Sequence, residues 1–468
     1  MANSADARTT RSGLKGFVER NRTLETYPVG GHRWAMLMLT VLATVVSFYE
    51  FGFSGLLPLW FGALHFTPLQ FSYFLAFAVA LSAVSASIGG PLADRHGRVI
   101  VIDVCLVVMI ALTFCNLLMT NFWSFVLIRG AMNLTAGLTW GALGGLTRDM
   151  SPRVSRGTAF GLLTFGAVLC LWLWNFIPGI TLPYLHTWQS QIWIMGGLSI
   201  VMGVPVLVWL KDLHPSLRLT VVESADVASA GTSAPAAAME SDVPGGAREA
   251  FGQLLSHYEP WALVIGAVAF LTIAITVQSF GPLMFTQQFK YSTAAADRIT
   301  ANFWFLNLLT LVPAGYLSDK LGVRKPLSLI FAAMVAVLLL WWIPTFAHPL
   351  SMRGQEVVTL LLGALAAAAY IPWTAQFSEL LEDISPALQA TGWSFFQLVY
   401  RIWIAISGLL IVSVAAKHGW ETWMWVALGT VGLFAASLLS IRGHWLPVRA
   451  GEPATATTPS ASTRPSPA

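Results

Sequence analysis

Glu50 stands in Phe48-Tyr49-Glu50-Phe51-Gly52-Phe53, inside a long apolar run. A carboxylate in hydrocarbon is costly unless paired or protonated, so an acid placed there is a functional candidate by default. Held between burial and a nearby cation, such a carboxyl can take up and release a proton. A structural ion pair is the alternative reading. Arg129, in another apolar run, is the matching cation. Counted along straight helices, Glu50 lies ~15 Å below Trp60 and Arg129 ~9 Å below Trp123, depths that agree within helix tilt. Arg401 is a third buried charge, near mid-membrane, with no acid expected at its own depth; Glu379, Glu382 and Asp383 sit nearer the surface. A guanidinium fork fits a carboxylate, so Arg401 reads as the counter-charge of an anionic substrate. The alternative is a structural Arg bonded to main-chain carbonyls or to the acids below it.

The elements that must hold these residues are membrane helices. Of 468 residues, 56% are hydrophobic and 10% charged, against roughly 25% charged in soluble domains. Spans are expected at 34–60, 68–91, 100–120, 123–147, 157–181 and 190–210, then at 259–284, 299–317, 327–346, 356–378, 391–416 and 421–440. Each has about the 20 residues that cross ~30 Å of hydrocarbon. The expected fold is all-α: twelve transmembrane helices in two six-helix bundles, 34–210 and 259–440. Residues 1–33 form an N-terminal tail and 441–468 a disordered C-terminal one. The join, 211–258, is rich in Ala, Ser, Gly and Pro, cannot bury a core, and reads as a mobile linker.

Charge gives the orientation. With both termini on the inner side, only Lys290, Arg298, Arg353 and Lys417 face outward, and Arg129 and Arg401 lie within spans. The other twenty of the 26 Lys and Arg face inward, which obeys the positive-inside rule. The net charge of +4 is no nucleic-acid footprint. Cys105, Cys115 and Cys170 lie in apolar runs and imply no disulfides. No apolar stretch near Met1 reads as a cleaved signal peptide. Abundant Arg, Ala and Gly point to a GC-rich bacterium, and so to a multi-pass protein of its cytoplasmic (inner) membrane.

Two charged turns repeat. Gly90-Pro91-Leu92-Ala93-Asp94-Arg95-His96-Gly97-Arg98 joins the second and third spans, and Gly315-Tyr316-Leu317-Ser318-Asp319-Lys320-Leu321-Gly322-Val323-Arg324-Lys325 joins the eighth and ninth. Asp149-Met150-Ser151-Pro152 and Asp383-Ile384-Ser385-Pro386 repeat before spans five and eleven. Six spans per half make these parallel repeats, related by an axis along the membrane normal. The paired turns resemble the loop between helices 2 and 3 of the major facilitator superfamily and its echo between helices 8 and 9. The resemblance covers nearly all the chain outside linker and tails, and it implies transport by two rocking bundles.

Leu127-Ile128-Arg129 resembles the start of the superfamily's helix 4 motif, although Asn133 stands where a Gly is usual and Gly appears only at Gly137. In related proton-coupled sugar carriers an acid in helix 1 pairs with this Arg, which implies the same roles for Glu50 and Arg129. Asp94 with Arg98, and Asp319 with Arg324, resemble the superfamily's cytoplasmic gate, which Asp149 and Asp383 would join through nearby bases. The helix 5 motif of drug exporters needs Gly-Pro in mid-helix. Here Gly157, Gly161 and Gly166 are followed by Cys170-Leu171, with Pro178-Gly179 farther on.

Tyr49, Asn175, Gln278, Asn307, Tyr370, Gln376 and Gln397 are the expected lining of a central substrate site. No G-x-x-x-x-G-K-[ST], H-E-x-x-H or Cys/His cluster occurs, so neither ATP, metal nor other cofactor is expected, and no nucleophile–base set marks an enzyme. The reading is a monomeric secondary transporter, with protons, the bilayer and a small organic anion as partners. It works as a proton-coupled symporter: Glu50 carries the proton, Arg129 tunes it and Arg401 holds the substrate. Proton-coupled efflux of hydrophobic or cationic compounds is the alternative; a non-transporting sensor on the same fold lacks any recognisable signalling domain.

Overall fold

The computed structural model describes residues 23–24, 26–150, 156–214, 252, 256–384 and 388–441. Most of the expected linker and of both tails lies outside the described residues, as do Ser151, Pro152, Ser385, Pro386 and the side chains of Asp94, Asp319 and Asp383.

The first half comprises α1 (Gly30–Ser47), a 3-10 turn (Phe48–Phe51), α2 (Leu57–Ala63), α3 (Pro68–His96), α4 (Arg98–Cys115), α5 (Phe122–Asp149), α6 (Arg156–Leu185) and α7 (Trp188–Trp209). The second comprises α8 (Tyr258–Phe270), α9 (Thr272–Gln288), α10 (Thr293–Leu321), α11 (Lys325–Trp342), α12 (Met352–Ile384) and α13 (Leu388–Ser440). These make twelve spans. The pair α1 and α2 is one broken span, and α8 with α9 is another. The long α13 is two spans that change direction at Gly419, whose φ of 86° only glycine adopts cheaply.

Among the described residues, nine stretches are long and apolar enough to cross a membrane, the last of them, Phe395–Ser440, covering two spans. The helices that fall short are α5 and α10. They carry Arg129 and Asn133, and Asp297, Asn302 and Asn307, so they spend hydropathy on groups turned toward protein rather than lipid. Lipid-facing positions are plainly apolar: Val107, Leu127, Val201 and Val337 are all more than half exposed.

Both repeated turns require their glycine. Gly97 ends α3 at φ 96° and Gly322 ends α10 at φ 64°, so each helix reverses within two or three residues. Thr67 starts α3 with a capping box: its hydroxyl accepts from the Gln70 amide at 3.2 Å, and Gln70 Oε1 accepts from the Thr67 amide at 2.8 Å. Beside the reversal at Gly97, β1 (Thr23–Leu24) pairs in parallel with β2 (Asp212–Leu213). The face holding these turns, the start of α1 and the ends of the linker is called the tail face below.

Candidate functional site

The expected straight first span, 34–60, is broken. After Ser47 the chain makes the Phe48–Phe51 turn and further turns to Leu56 before α2 begins. In a membrane, main-chain carbonyls released from a helix need protein donors. Arg129, wholly buried on α5, supplies them: its Nη2 donates to the carbonyl of Tyr49 at 3.4 Å and to that of Glu50. Its guanidinium lies over the rings of Phe53 and Trp60, at 5.4 and 5.8 Å. Two glycines let the broken segment press on α6. A Cβ on Gly52 would fall 2.2 Å from Trp174 Cε2, and one on Gly55 2.6 Å from the Trp174 carbonyl.

Glu50 sits in this break, 5% exposed, with Oε2 buried and lacking a hydrogen-bond partner among the described residues. Two guanidiniums act on it, Arg401 more strongly than Arg129. The expectation that no acid stands near Arg401 is therefore corrected. Counting residues along one helix gives depth, but not which helix of the other bundle faces it. Arg401, on α13, also donates to Ser82 Oγ of α3 at 3.1 Å, joining the two halves near mid-depth.

The expected lining residues divide. Tyr49 donates to the Met195 carbonyl at 3.2 Å and meets Trp174 edge-on at 5.2 Å, inside the first bundle. Asn175 donates to the Leu171 carbonyl at 2.7 Å and accepts from Ser54 at 3.2 Å, so both ends of its amide are engaged. Asn307 donates to the Gly363 carbonyl at 3.1 Å and ties α10 to α12. Gln278 and Gln376 are buried, and Gln376 Oε1 has no partner among the described residues. Tyr370, Trp373, Phe377, Trp393, Phe396 and Tyr400 form one continuous aromatic cluster. Gln376, Gln397 and Arg401 come from the two stretches of α12 and α13 that carry it. Of the seven expected residues, Tyr370 belongs to this aromatic cluster, and Gln376 and Gln397 lie on the helices that carry it.

Two ion pairs of the tail face, among the described residues, each lie within one bundle. Arg98 forms an ion pair with Asp149, both nearly buried, and the Arg98 amide donates to Asp212 Oδ2 at 2.8 Å. Arg324 pairs with Glu379 at 3.0 Å and donates to Ser318 Oγ at 2.8 Å. Glu379 and Asp212 were not expected as partners; each stands close to an expected gate residue only in space.

Contacts between bundles cluster away from the tail face. Ser72 Oγ donates to the Gly408 carbonyl at 3.0 Å, Phe71 meets Phe280 at 5.6 Å, and a Cβ on Gly179 would lie 2.9 Å from the Arg298 amide nitrogen. Arg401–Ser82 and the Trp172–Phe305 contact at 5.9 Å lie near mid-depth. Among the described residues these close the face opposite the tails. Asp297, expected outside the eighth span, lies in this seam, fully buried. Ser292 was the missed signal: it stands just before Thr293 and three alanines, and its hydroxyl accepts from the Ala295 amide at 3.3 Å, starting α10 before Asp297 rather than after it.

Two six-helix halves around charges buried at mid-depth define a multi-pass membrane carrier, not an enzyme. A sequence profile of the Major Facilitator Superfamily matches residues 39–408, and the chain belongs to that family of transporters. Its fold is similar to that of a D-xylose-proton symporter: TM-score 0.65, 15% identity, covering 87% of this chain and 97% of that one. It is also similar to a bacterial homologue of the human lysosomal transporter Spinster, solved inward-facing and unoccupied: TM-score 0.60, 16% identity, covering 88% and 93%. A search of curated proteins finds no match.

Proposed function

We propose that this transporter couples proton movement to uptake of a small organic anion, most simply a carboxylate. The observation that carries the reading is the charge balance at mid-depth. One carboxyl, Glu50, stands in the field of two guanidiniums, Arg129 and Arg401. Arg129 is occupied with the carbonyls of the broken span. Among the described residues Arg401 hydrogen-bonds to a serine hydroxyl across the bundle boundary, so an anion can take its fork when the bundles move. Protonating Glu50 removes the one negative charge that competes for Arg401 and so favours binding of a negative substrate. Proton and anion then travel together. The D-xylose-proton symporter of like fold supports proton coupling in this architecture.

In this reading the tail face is cytoplasmic, by the distribution of Lys and Arg, and the membrane is a bacterial inner membrane. The contacts opposite the tails then lie on the outer side, and the protein is read as a monomer. Asp94, Arg98, Asp149, Asp319, Arg324 and Asp383 would fasten the cytoplasmic side in the outward-open state. The test uses proteoliposomes with a trapped pH-sensitive dye and a panel of aliphatic and aromatic carboxylates chosen by thermal shift. Glu50→Gln should abolish uphill accumulation and spare counterflow exchange. Uphill uptake by Glu50→Gln at the parent rate overturns the proton role. Unchanged affinity in both Arg401→Ala and Arg401→Lys removes Arg401 from the substrate site.

A second reading, proton-coupled efflux of flat hydrophobic compounds, draws on the aromatic cluster from Tyr370 to Tyr400. Resistance to such compounds in a sensitive host expressing the protein would favour it. The excess of guanidinium over carboxylate disfavours cationic cargo.

A further inference from the structure

Asp297 is unused by the transport reading above, yet its position is unusual. It lies on α10 in the seam between bundles, 0% exposed, and neither carboxyl oxygen has a hydrogen-bond partner among the described residues. It faces the broken first span: a Cβ on Gly55 would meet Asp297 Oδ1 at 3.1 Å and the Trp174 carbonyl of α6 at 2.6 Å. A carbonyl oxygen is an acceptor, so at this point of contact the carboxylate meets no donor.

The charged and titratable groups of the packed elements are otherwise engaged or distant. On α10 itself Arg298 pairs with Glu356 of α12 at 3.0 Å, and its main chain abuts Gly179 of α6. Lys290 and Tyr291 precede α10, and Arg353 starts α12. On the first span the nearest is Glu50, which lies in the field of Arg401 and Arg129. None of these hydrogen-bonds or ion-pairs with Asp297 among the described residues. A carboxylate so placed is stable only with a proton on it.

We propose that Asp297 is a proton-binding site of the gate opposite the tails, protonated while the seam is shut and ionised when the bundles part. The proton is taken up from, and returned to, the same side of the membrane, so it is not cargo. One O–H bond forms as the seam closes, with water as donor, and breaks as it opens. Acid on that side therefore favours closure, and base favours opening. Glu50 carries the coupled proton in the proposed function; Asp297 sets how external pH divides the protein between its two states. The inference rests on rocking bundles and stands even if Glu50 has no proton role.

The test is accessibility of the seam in full-length protein in nanodiscs, where both faces meet one buffer. Cys105, Cys115 and Cys170 are replaced by Ala, and Ser54→Cys places a thiol beside Gly55, where Ser54 is 1% exposed. A hydrophilic maleimide labels the thiol from pH 5 to pH 9, roughly the range that brackets a perturbed carboxyl. Labelling is expressed relative to the same chain with Asp297→Asn, which removes the pH dependence of the thiol itself. The ratio is expected to rise with pH, by at most about tenfold per unit, the limit for one proton. Asp297→Asn should stay poorly labelled throughout.

A ratio independent of pH overturns the proposal, and so does an Asp297→Asn chain that labels faster than its parent. A profile that depends on sodium at fixed pH overturns it as well, assigning the site to a metal cation. Infrared spectroscopy gives a second readout that needs no gating. A protonated-carboxyl carbonyl band should be present at neutral pH, persist in Glu50→Gln and vanish when Asp297→Asn is added to Glu50→Gln. Should Asp297→Asn not fold, the absence of that band from Glu50→Gln alone overturns the proposal.

Discussion

Arg129 donates to the main-chain carbonyl of Glu50, while the carboxyl of the same residue has no hydrogen bond at Oε2. The guanidinium thus holds the backbone of the broken first span and leaves the acid free to titrate. A shape and a charge are supplied by one residue, and substitutions can separate them.

Arg129→Lys keeps the charge but replaces a planar fork by a single ammonium, which cannot serve the Tyr49 and Glu50 carbonyls together. The loss of one charged hydrogen bond is expected to cost about 1.5–3 kcal/mol, read as a lower midpoint of thermal aggregation in detergent. A lysine variant as stable as the parent would leave the carbonyl contacts without a structural role.

Gly52→Ala and Gly55→Ala should both destabilise, by about 1–3 kcal/mol as overpacked positions do, but only one should be rescued. The added methyl at 52 meets the Trp174 side chain at 2.2 Å, so Trp174→Leu should restore much of the stability. At 55 it meets the Trp174 main-chain oxygen at 2.6 Å, which no side-chain change removes. Equal rescue of both, measured by thermal denaturation, contradicts the packing described.

Glu50 and Arg401 lie in opposite bundles and share one field. In a double-mutant cycle of Glu50→Gln and Arg401→Met, the stability effects should depart from additivity by at least about 0.5 kcal/mol. Ser82→Ala, which removes the other tie on Arg401, should enlarge that coupling. Strict additivity would separate the two charges and weaken the anion-binding proposal.

The two tail-face ion pairs should respond unequally. Arg98 and Asp149 have side chains 8% and 7% exposed, whereas Glu379 is 53% exposed. Asp149→Asn takes the carboxylate out of a nearly buried ion pair and is expected to be the costlier change, at up to about 3–5 kcal/mol. Glu379→Gln breaks a pair that water screens and should cost no more than about 1 kcal/mol. The midpoints of the two variants in one detergent check this directly, and a reversed order would refute it.

The spans, the two halves and the reversals at Gly97 and Gly322 were legible in the chain, because membrane length and glycine geometry act locally. What escaped the sequence is what depends on neighbours. The break at Phe48–Phe51 is invisible to hydropathy, since Phe, Tyr and Gly are as apolar in a turn as in a helix. Asp297 was put outside because span ends were set by apolarity, whereas the helix begins at its Ser292 cap. Arg401, expected deep in a span, is only half-buried, and it was given no acid because depth along a helix does not reveal what faces it across a bundle boundary. Tyr49 and Asn175 were polar groups at the right depth whose hydrogen bonds were already taken inside the first bundle.

The short parallel pairing of Thr23–Leu24 with Asp212–Leu213 gives the first bundle a mooring. Asp212 is where the chain leaves for the second bundle, and its carboxylate accepts the Arg98 amide. One residue, Arg98, thus ties the root of α4 both to the exit strand through its amide and to Asp149 of α5 through its guanidinium, so the point where the chain leaves the first bundle is anchored to that bundle's own helices.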